Sequence, residues 1–517
     1  MSSAAPATPV AFARLALLAA AAVVIFAGTL WFDTRWNQFP FFYHPDEPDK
    51  VDQLITGKWN FHHPLLMLGT AEAAKRALGV ADHEQALVVL GRWCSACFAA
   101  GGVAAFALLG WRTRGWRGFW VVGAALATQH QVYELAHYFK EDTALFFAMG
   151  LGFLALHIHH RRPGMASAVF AGGACGLAVS AKYLGVVMLV PAAVIMIAAQ
   201  RGKRVSGGQW AWYGGAFVAV AAGINWPVFA HLDIFTHSVG RETTLLAQGE
   251  RSYSGGQVAI FEYFHMFLNN TTPVVWALVA AEMRAQWKRR DAFEWTMAIF
   301  PFAFTLLLSC SPKTNDRYFL PATAGFYYLA ALGALDLPLL LSRFLAGRFA
   351  NGVVFLGAIA ASPVLLIAGN LVCLAPYARS FGQDDRGEML AWIRANVPAS
   401  AVIGAEDHAD LPISHRPERL AVQPLLAQRV IETKYAADLA PTPASLAGHG
   451  VDYIVVSESD YGIFLRKAAS GHLSGAMQVK RDFYNALFRD YQPLWERARG
   501  TGIYLHPGLR VYRVGGG

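Results

Sequence analysis

Residues 12–31 read FARLALLAAAAVVIFAGTLW, and Arg14 is the one charged residue among them. A run of about 20 apolar residues is long enough to cross the hydrocarbon core of a bilayer as an α-helix. The apolar part is long for a signal peptide, and no clear small-x-small cleavage site accompanies it. We therefore expect an uncleaved anchor and, with it, an α-helical membrane protein.

The rest of the chain has the same character. Of its 517 residues, 55% are hydrophobic and 15% are charged, whereas soluble domains carry about 25% charged residues. A scan for apolar stretches of spanning length predicts eleven transmembrane helices. They are expected near residues 12–31, 84–110, 118–136, 143–158, 164–181, 183–200, 208–230, 265–283, 293–310, 318–341 and 350–375.

Charged residues between these stretches predict the orientation. With the N-terminus in the cytoplasm, every basic cluster falls in a cytoplasmic loop, as the positive-inside rule requires. The formal charge of +8 is therefore read as a topology signal, and we predict no nucleic-acid partner. An odd number of spans then places the C-terminus on the outer side of an inner (plasma) membrane. The basic clusters are Arg112, Arg114 and Arg117; Arg161 and Arg162; Arg201, Lys203 and Arg204; Arg284, Lys288, Arg289 and Arg290; and Arg343 and Arg348.

The sequence pattern changes near residue 376. Helix and strand signals alternate from there to the end, which is typical of a small α/β domain. We therefore predict a transmembrane domain over 1–375 and an extracytoplasmic, periplasmic-type α/β domain over 376–517. The predicted elements are a helix in LAWIRANVPAS (390–400), which ends before Pro398, and strands in AVIGAE (401–406), VDYIVVSES (451–459) and LRVYRV (509–514).

The first outer loop, residues 32–83, is too long for a simple connector. Within it, HPLLMLGTAEAAKRALGV (63–80) repeats apolar residues at helical spacing and places charges on the other side. This pattern predicts a helix that lies along the membrane interface.

Three outer loops contain charged residues at the membrane edge. Charges at such depth are costly, so they usually belong to a functional site. An alternative is that some of them only cap helices: the Asp46–Glu47 pair would cap a helix starting near Asp49, and Asp142 would cap the fourth span. The three segments are FFYHPDEPDK (41–50) with FHHPLL (61–66), YELAHYFKEDTALFF (133–147) and SPKTNDRYFLPA (311–322).

These segments resemble, in order, motifs of the polytopic GT-C glycosyltransferases. The resemblance is to the branch of the protein O-mannosyltransferases and lipid A aminoarabinose transferases, and it spans roughly residues 10 to 340. His63 stands where that branch often has the first of two prolines, which is a departure from its pattern. HPDEPDK (44–50) is similar to the acidic D-E element, FHHPLL to a basic-Pro-Pro-Leu element, KEDTALFF (140–147) to a second acidic element, and DRYFLPA (316–322) to a late Arg-Tyr-x-x-Pro element.

The resemblance implies transfer of a sugar from a polyprenyl-phosphate donor to an acceptor hydroxyl, with inversion at the anomeric carbon. A carboxylate must take the acceptor proton, and cations must stabilise the charge that develops on the leaving phosphate. We expect Asp46 to be the general base and Glu47 to support it, with Asp142 ahead of Glu141 as the second acidic group. We expect Lys313 and Arg317, with Lys182 and His62, to contact the phosphate, and His44, His63, Lys140 and Tyr318 to complete the substrate site.

Two other functions fit the composition. A transporter or flippase of a lipid-linked sugar would carry mid-span charges and internal repeats, but the sequence has no repeat and its acidic groups lie in loops. A non-catalytic envelope assembly protein would have dispensable carboxylates. We expect no cofactor and no metal ligand, and we keep assistance by a divalent cation as the alternative. The expected partners are the lipid-linked hexosyl or pentosyl donor, a lipid, glycan or protein acceptor, and membrane lipids.

Overall fold

Helices make up most of the protein. The computed structural model describes residues 9–40, 42–201, 206–248, 263–264, 267–268, 271–311, 315–345, 352–381, 385–412, 424–469, 475–500 and 505–515. The helices before residue 381 are α1 (Pro9–Asp33), α2 (Glu47–Thr56), α3 (Leu66–Leu78), α4 (Glu84–Ala127), α5 (His130–Ala136), α6 (Asp142–Arg161), α7 (Met165–Ala181), α8 (Leu189–Arg201), α9 (Gly207–Ile224), α10 (Pro227–Ala230), α11 (Leu232–Gln248), α12 (Pro273–Arg289), α13 (Ala292–Ser309), α14 (Leu320–Leu345) and α15 (Gly352–Ser380).

The protein is a multi-pass membrane protein. In the described ranges, seven helices are long and apolar enough to cross a membrane. Each of the eleven predicted spans overlaps helical segments, although residues 265–266, 269–270 and 350–351 of two of these spans lie outside the described residues. Helices α7, α9 and α12 miss the criteria of length or hydropathy that define the seven. The number of eleven crossings therefore stays a prediction.

Helix α4 is in fact two antiparallel helices joined at Arg114 and Gly115. Both residues have non-helical dihedral angles, and Gly115 adopts φ 64° and ψ −154°, a region open mainly to glycine. A Cβ added to Gly110 would lie 2.5 Å from the carbonyl oxygen of Gly118. Eight residues of continuous helix would separate these glycines by about 12 Å, so the chain reverses here, between the spans predicted at 84–110 and 118–136.

An ionic network joins four helices beside this turn. Arg114 donates hydrogen bonds to Glu282, Glu294 and Asp336 at 3.1, 3.0 and 3.1 Å. Arg289 donates to the same three carboxylates at 2.6, 2.7 and 2.7 Å. These residues belong to α4, α12, α13 and α14, so two guanidinium groups hold together the helix ends on the predicted cytoplasmic side.

The first outer loop contains two short helices. Helix α2 ends at Gly57 and α3 ends at Gly79, and both glycines adopt the left-handed conformation that commonly terminates helices. Helix α3 buries Met67, Leu68 and Ala71 and coincides with the helix expected in 63–80. Its position along the membrane interface stays a prediction.

A mixed five-stranded sheet forms the C-terminal part. Strand β1 lies between β2 and β3 and is parallel to both, whereas β5 is antiparallel to β3 and β4. Side chains alternate between two hydrophobic cores: Val455 faces the core with α16, and Ile454 and Val456 face the core with α17 and α18. The elements are α16 (Asp385–Asn396), β1 (Val402–Glu406), β2 (Arg429–Thr433), β3 (Tyr453–Ser457), α17 (Glu458–Ala469), α18 (Gly475–Asp490), β4 (Trp495–Glu496) and β5 (Leu509–Arg513).

The predicted α/β character of the C-terminal part is confirmed, with the helix at 390–400 and all three strands present. The change of pattern comes slightly later than residue 376, because α15 continues to Ser380. The division into two domains stays a prediction.

Candidate active site

The first outer loop enters helix α2 at Asp46. This residue is the N-cap of α2, yet its side chain makes no capping hydrogen bond. Pro48 lies in the first turn of the helix, where a missing backbone N–H has no cost. The alternative that Asp46 serves only to cap this helix is therefore wrong, because its carboxylate points elsewhere.

The carboxylate of Asp46 lies among basic side chains. Its Oδ2 accepts a hydrogen bond from Nζ of Lys140 and lies 3.7 Å from Nη1 of Arg317 and 3.9 Å from Nδ1 of His44. The Asp46 side chain is 40% exposed, whereas that of Lys140 is 1% exposed. Burial favours a higher pKa for Asp46, but the positive charges of Lys140 and Arg317 hold the pKa well below its ordinary value. Asp46 is thus an ionised group at the open edge of the site.

Glu47 points in another direction, into the protein. Its two oxygens accept hydrogen bonds from Nε and Nη2 of Arg92 at 3.1 and 2.8 Å, and both side chains are fully buried. The same carboxylate accepts the backbone N–H groups of Tyr43, His44 and Phe139 at 2.8, 3.3 and 2.9 Å. Glu47 therefore ties the first outer loop to α4 and to the second outer loop. Its supporting role in catalysis stays a prediction.

Glu141, in the second outer loop, is buried among cations. One oxygen accepts from Nζ of Lys50, and the other lies 3.5 Å from Nζ of Lys140 and 3.8 Å from Nε2 of His63. Burial lowers the pKa of Lys140 to about 8, and Asp46 opposes this effect. Burial, followed by the charge of Lys140, also lowers the pKa of Lys50 well below its ordinary value.

Asp142 is the first residue of α6 and pairs with a different lysine. Its Oδ1 accepts from Nζ of Lys182 at 2.5 Å, and this Nζ lies 4.6 Å from the ring centroid of Tyr318. Within the described ranges, Oδ2 of Asp142 is buried and accepts no hydrogen bond. A buried acceptor in this state carries a desolvation penalty, which a substrate hydroxyl would remove.

The third outer loop contributes Arg317. The side chain of Asn315 accepts the N–H of Arg317 at 3.1 Å and starts a short 3-10 helix. Nη1 of Arg317 lies 2.6 Å from Nε2 of His44, and its guanidinium lies 5.4 Å from the ring centroid of Tyr318. Lys313, expected to bind the phosphate beside Arg317, lies outside the described residues.

The two neighbouring histidines differ in position. Nε2 of His63 lies 3.2 Å from Nζ of Lys140, so His63 belongs to the charged group. His62 donates its backbone N–H to the side chain of Asn60 at 3.1 Å, and its Nδ1 is buried with no hydrogen bond to any described residue. Burial is the main reason that the pKa of each imidazole is lowered. His63 therefore lies next to the carboxylates, and the expected contact of His62 with the donor phosphate stays a prediction.

The three outer loops, together with Lys182 at the end of α7, thus build one charged group, which we call the polar cluster. Four cations face three carboxylates, so the cluster has one positive charge in excess. Only Asp46 among the carboxylates is substantially exposed. The polar cluster consists of His44, Asp46, Lys50, His63, Lys140, Glu141, Asp142, Lys182 and Arg317.

Sequence reasoning missed Lys50 and Arg92. Lys50 lies four residues after Asp46, which is the spacing that places two side chains on the same face of a helix. Arg92 is a charge inside a predicted apolar span, which is by itself an indication of function. Across the ranges that the structure describes, no group of three or more His, Cys, Asp or Glu side chains has the arrangement of a metal site. The expectation about cofactors stays a prediction.

Two solved structures are similar to this protein. The apo oligosaccharyltransferase from Archaeoglobus fulgidus has a TM-score of 0.51 at 11% identity, over 94% of this chain and 74% of the archaeal one. ArnT from Cupriavidus metallidurans bound to undecaprenyl phosphate has a TM-score of 0.49 at 17% identity, over 98% of this chain and 100% of ArnT. No protein-family model matches the chain, and no curated protein matches it. The likeness to the archaeal oligosaccharyltransferase confirms the predicted GT-C fold and shows the fold alone.

Proposed function

We propose that this protein is an inverting membrane glycosyltransferase that transfers a hexosyl or pentosyl group from a polyprenyl-phosphate donor to an acceptor hydroxyl at the outer face. The observation that carries this proposal is the polar cluster. It combines an exposed, ionised carboxylate, Asp46, with an excess of buried cations. Glycosyl transfer from a phosphate ester needs these two features together, because one partner loses a proton and the other gains negative charge.

The donor phosphate would bind beside Arg317 and His44, whose Nη1 and Nε2 atoms lie 2.6 Å apart. Nδ1 of His44 accepts the backbone N–H of Asp46 at 3.0 Å, and burial lowers the pKa of this imidazole well below its ordinary value. A neutral His44 that accepts at Nδ1 carries its proton on Nε2. Nε2–H and Nη1 of Arg317 are then two donors only 2.6 Å apart, and a phosphate oxygen that accepts from both would separate them and relieve this donor–donor contact. Guanidinium groups suit phosphate because they bind two oxygens at once.

Phosphate binding would also prepare Asp46 as a base. Lys140 and Arg317 hold the pKa of Asp46 low while they contact its carboxylate. An incoming phosphate competes for the same two cations and so weakens their hold on Asp46. The carboxylate then becomes more basic when the donor is in place, and it accepts the acceptor proton as the hydroxyl oxygen attacks the anomeric carbon.

Asp142 is the better candidate for orienting the substrate, and Glu141 for holding the cluster together. Asp142 and Glu141 each have one buried oxygen that accepts no hydrogen bond from the described residues. That oxygen of Glu141 lies 3.5 Å from Nζ of Lys140, whereas the described ion pair of Asp142 uses its other oxygen, so the oxygen of Asp142 suits a sugar or acceptor hydroxyl better. Glu141 is enclosed by Lys50, Lys140 and His63. The proposal therefore keeps Asp142 ahead of Glu141 as the second acidic group, as predicted from the sequence.

The proposed setting is an inner or plasma membrane, with the N-terminus in the cytoplasm and residues 376–517 outside. Enzyme reporters fused after Gly207 and Gly382 test this orientation, because the two positions should report opposite compartments. A report of the same compartment at both positions would contradict the site proposal too, since the polar cluster would then be on the wrong face for outer acceptors.

Purified protein in lipid nanodiscs should release polyprenyl phosphate from a panel of polyprenyl-phosphate sugars when envelope lipids, glycans or peptides are supplied as acceptors. Deletion of the protein should make the matching lipid-linked sugar accumulate. Movement of the intact donor across a vesicle membrane, without release of polyprenyl phosphate, would instead favour the transporter. If the purified protein consumes no donor and its deletion does not change the level of any lipid-linked sugar, a non-catalytic assembly protein is favoured.

A further inference from the structure

An ion pair of the C-terminal part binds both backbone polar groups of Phe42, a residue of the loop that leads to Asp46. The backbone N–H of Phe42 donates to Oδ2 of Asp410 at 3.2 Å, and Nη1 of Arg386 donates to the Phe42 carbonyl oxygen at 2.7 Å. Arg386 and Asp410 also lie 3.7 Å apart, and both side chains are buried. Both polar groups of a single residue, four positions before Asp46, are therefore bound by charged side chains.

Arg386 and Asp410 are themselves fixed by the α/β fold. Arg386 belongs to α16, which packs on one face of the sheet through Met389 and Ile393. Asp410 follows β1 at its carboxyl end and adopts φ 51°, a left-handed conformation that Asp tolerates better than most residues. The guanidinium of Arg386 also lies 5.5 Å from the ring centroid of Phe39, earlier in the same loop. The sheet and α16 thus determine the position of the Phe42 backbone.

The next residues of the loop are held by a different ion pair. Glu47 accepts the backbone N–H groups of Tyr43 and His44, and Glu47 is paired with Arg92 of α4. Three consecutive backbone N–H groups, at positions 42, 43 and 44, are therefore bound by carboxylates. Hydrogen bonds to charged groups are about twice as strong as neutral ones, so this backbone is tightly positioned just before the proposed base.

We propose that Arg386 and Asp410 are positioning residues for catalysis, and that the C-terminal part sets the geometry of the Asp46 loop. This inference rests on the proposed function, because it assigns Asp46 to the reaction. A displacement of about 1 Å in a catalytic group can lower the rate about 100-fold. We call the hold of Arg386 and Asp410 on Phe42 the clamp. Its removal should lower kcat about 10- to 100-fold while the KM for the donor changes little, because Arg317 and Lys182 are held by other elements.

The test uses the full-length protein in nanodiscs and compares Asp410→Ala and Arg386→Ala with Arg497→Ala. Arg497 is a matched control, because it also pairs with a carboxylate of α16, Glu388, at 2.9 Å, but on the exposed surface. Hydrogen exchange of the peptide containing Phe42 to Asp46 should rise at least tenfold in the two clamp variants and stay at the wild-type rate in the control. Unchanged exchange in both clamp variants would overturn the inference.

Asp410→Asn covers the case in which the alanine variants do not fold. Asn keeps an acceptor oxygen for the Phe42 N–H but lacks the charge that attracts Arg386, so exchange should rise less than in Asp410→Ala and kcat should fall less. Wild-type kcat and exchange in Asp410→Asn would also contradict the proposal. The exchange measurement needs no donor, so a wild-type protein without transferase activity would refute the proposed function while the clamp is still judged by exchange.

Discussion

The carboxylate of Glu47 and the guanidinium of Arg92 form a two-pronged pair at 2.8 and 3.1 Å, and both side chains are fully buried. Asp46, the preceding residue, is 40% exposed and faces Lys140 and Arg317 instead. Two adjacent acids therefore have separate surroundings. One is enclosed in the scaffold of the loop, and the other lies at the edge of the site, where chemistry is possible.

The first prediction concerns this buried pair. Glu47→Gln keeps the size of the side chain but leaves the Arg92 charge buried without its counter-charge, which typically costs about 3–5 kcal/mol. We expect a large fall in the thermal unfolding midpoint of the purified protein and a low abundance in membranes. Glu388→Gln, which removes an exposed partner of Arg497, is the control and should leave the midpoint nearly unchanged. Equal midpoints for both variants would contradict the role of Glu47.

Arg317 should govern the affinity for the donor. Hydrogen bonds to charged groups contribute about 1.5–3 kcal/mol, so Arg317→Ala should bind a photo-crosslinking polyprenyl-phosphate analogue about 10- to 100-fold more weakly. Arg317→Lys should recover only part of the affinity, because an ammonium group cannot bind two phosphate oxygens in one plane. Arg76→Ala removes an exposed cation of the first outer loop and serves as the control. Wild-type affinity in Arg317→Ala would remove Arg317 from the phosphate site.

The two acids of the second outer loop should differ in what they control. Asp142→Asn should lower kcat and cost less stability than Glu141→Gln, because it removes the counter-charge of one lysine, Lys182, which retains its contact with the Tyr318 ring. Glu141→Gln should instead destabilise the protein, because Lys50 and Lys140 lose a buried counter-charge. Turnover numbers per folded molecule, measured beside unfolding midpoints, separate the two effects. Full turnover in Asp142→Asn together with a loss in Glu141→Gln would reverse the assignment.

The catalytic efficiency kcat/KM should fall at alkaline pH. The pKa of Lys140 is lowered by burial to about 8, so the free protein loses this positive charge as the pH rises through that value. Donor capture needs the charge, and kcat/KM reports the free enzyme. We therefore expect kcat/KM to decline above pH of about 8. In Lys140→Arg, whose guanidinium stays charged, any remaining activity should lack this decline. The same decline of kcat/KM at alkaline pH in Lys140→Arg would show that another group causes it.

Periodicity and composition predicted much of the fold, because long apolar runs, the α3 pattern and the β-rich segments are local signals. The same signals predicted which three loops meet, since orientation follows from basic clusters. They did not predict that Glu47 pairs with Arg92, because the partners are far apart in the sequence and α4 must first pack against the loop. Nor did they predict the hold of Arg386 and Asp410 on Phe42, which depends on how the C-terminal sheet lies against the first outer loop.

The most direct test of the account is the turnover of Asp46→Asn with a lipid-linked sugar donor. The substitution removes the charge with almost no change in size. General base catalysis typically increases the rate about 10²–10⁴-fold. Asp49→Asn, an exposed carboxylate three residues later in α2, is the matched control. We predict a loss of 10²–10⁴-fold in Asp46→Asn with wild-type membrane abundance, and full activity in Asp49→Asn. Near-wild-type turnover in Asp46→Asn would contradict the central claim that Asp46 is the base.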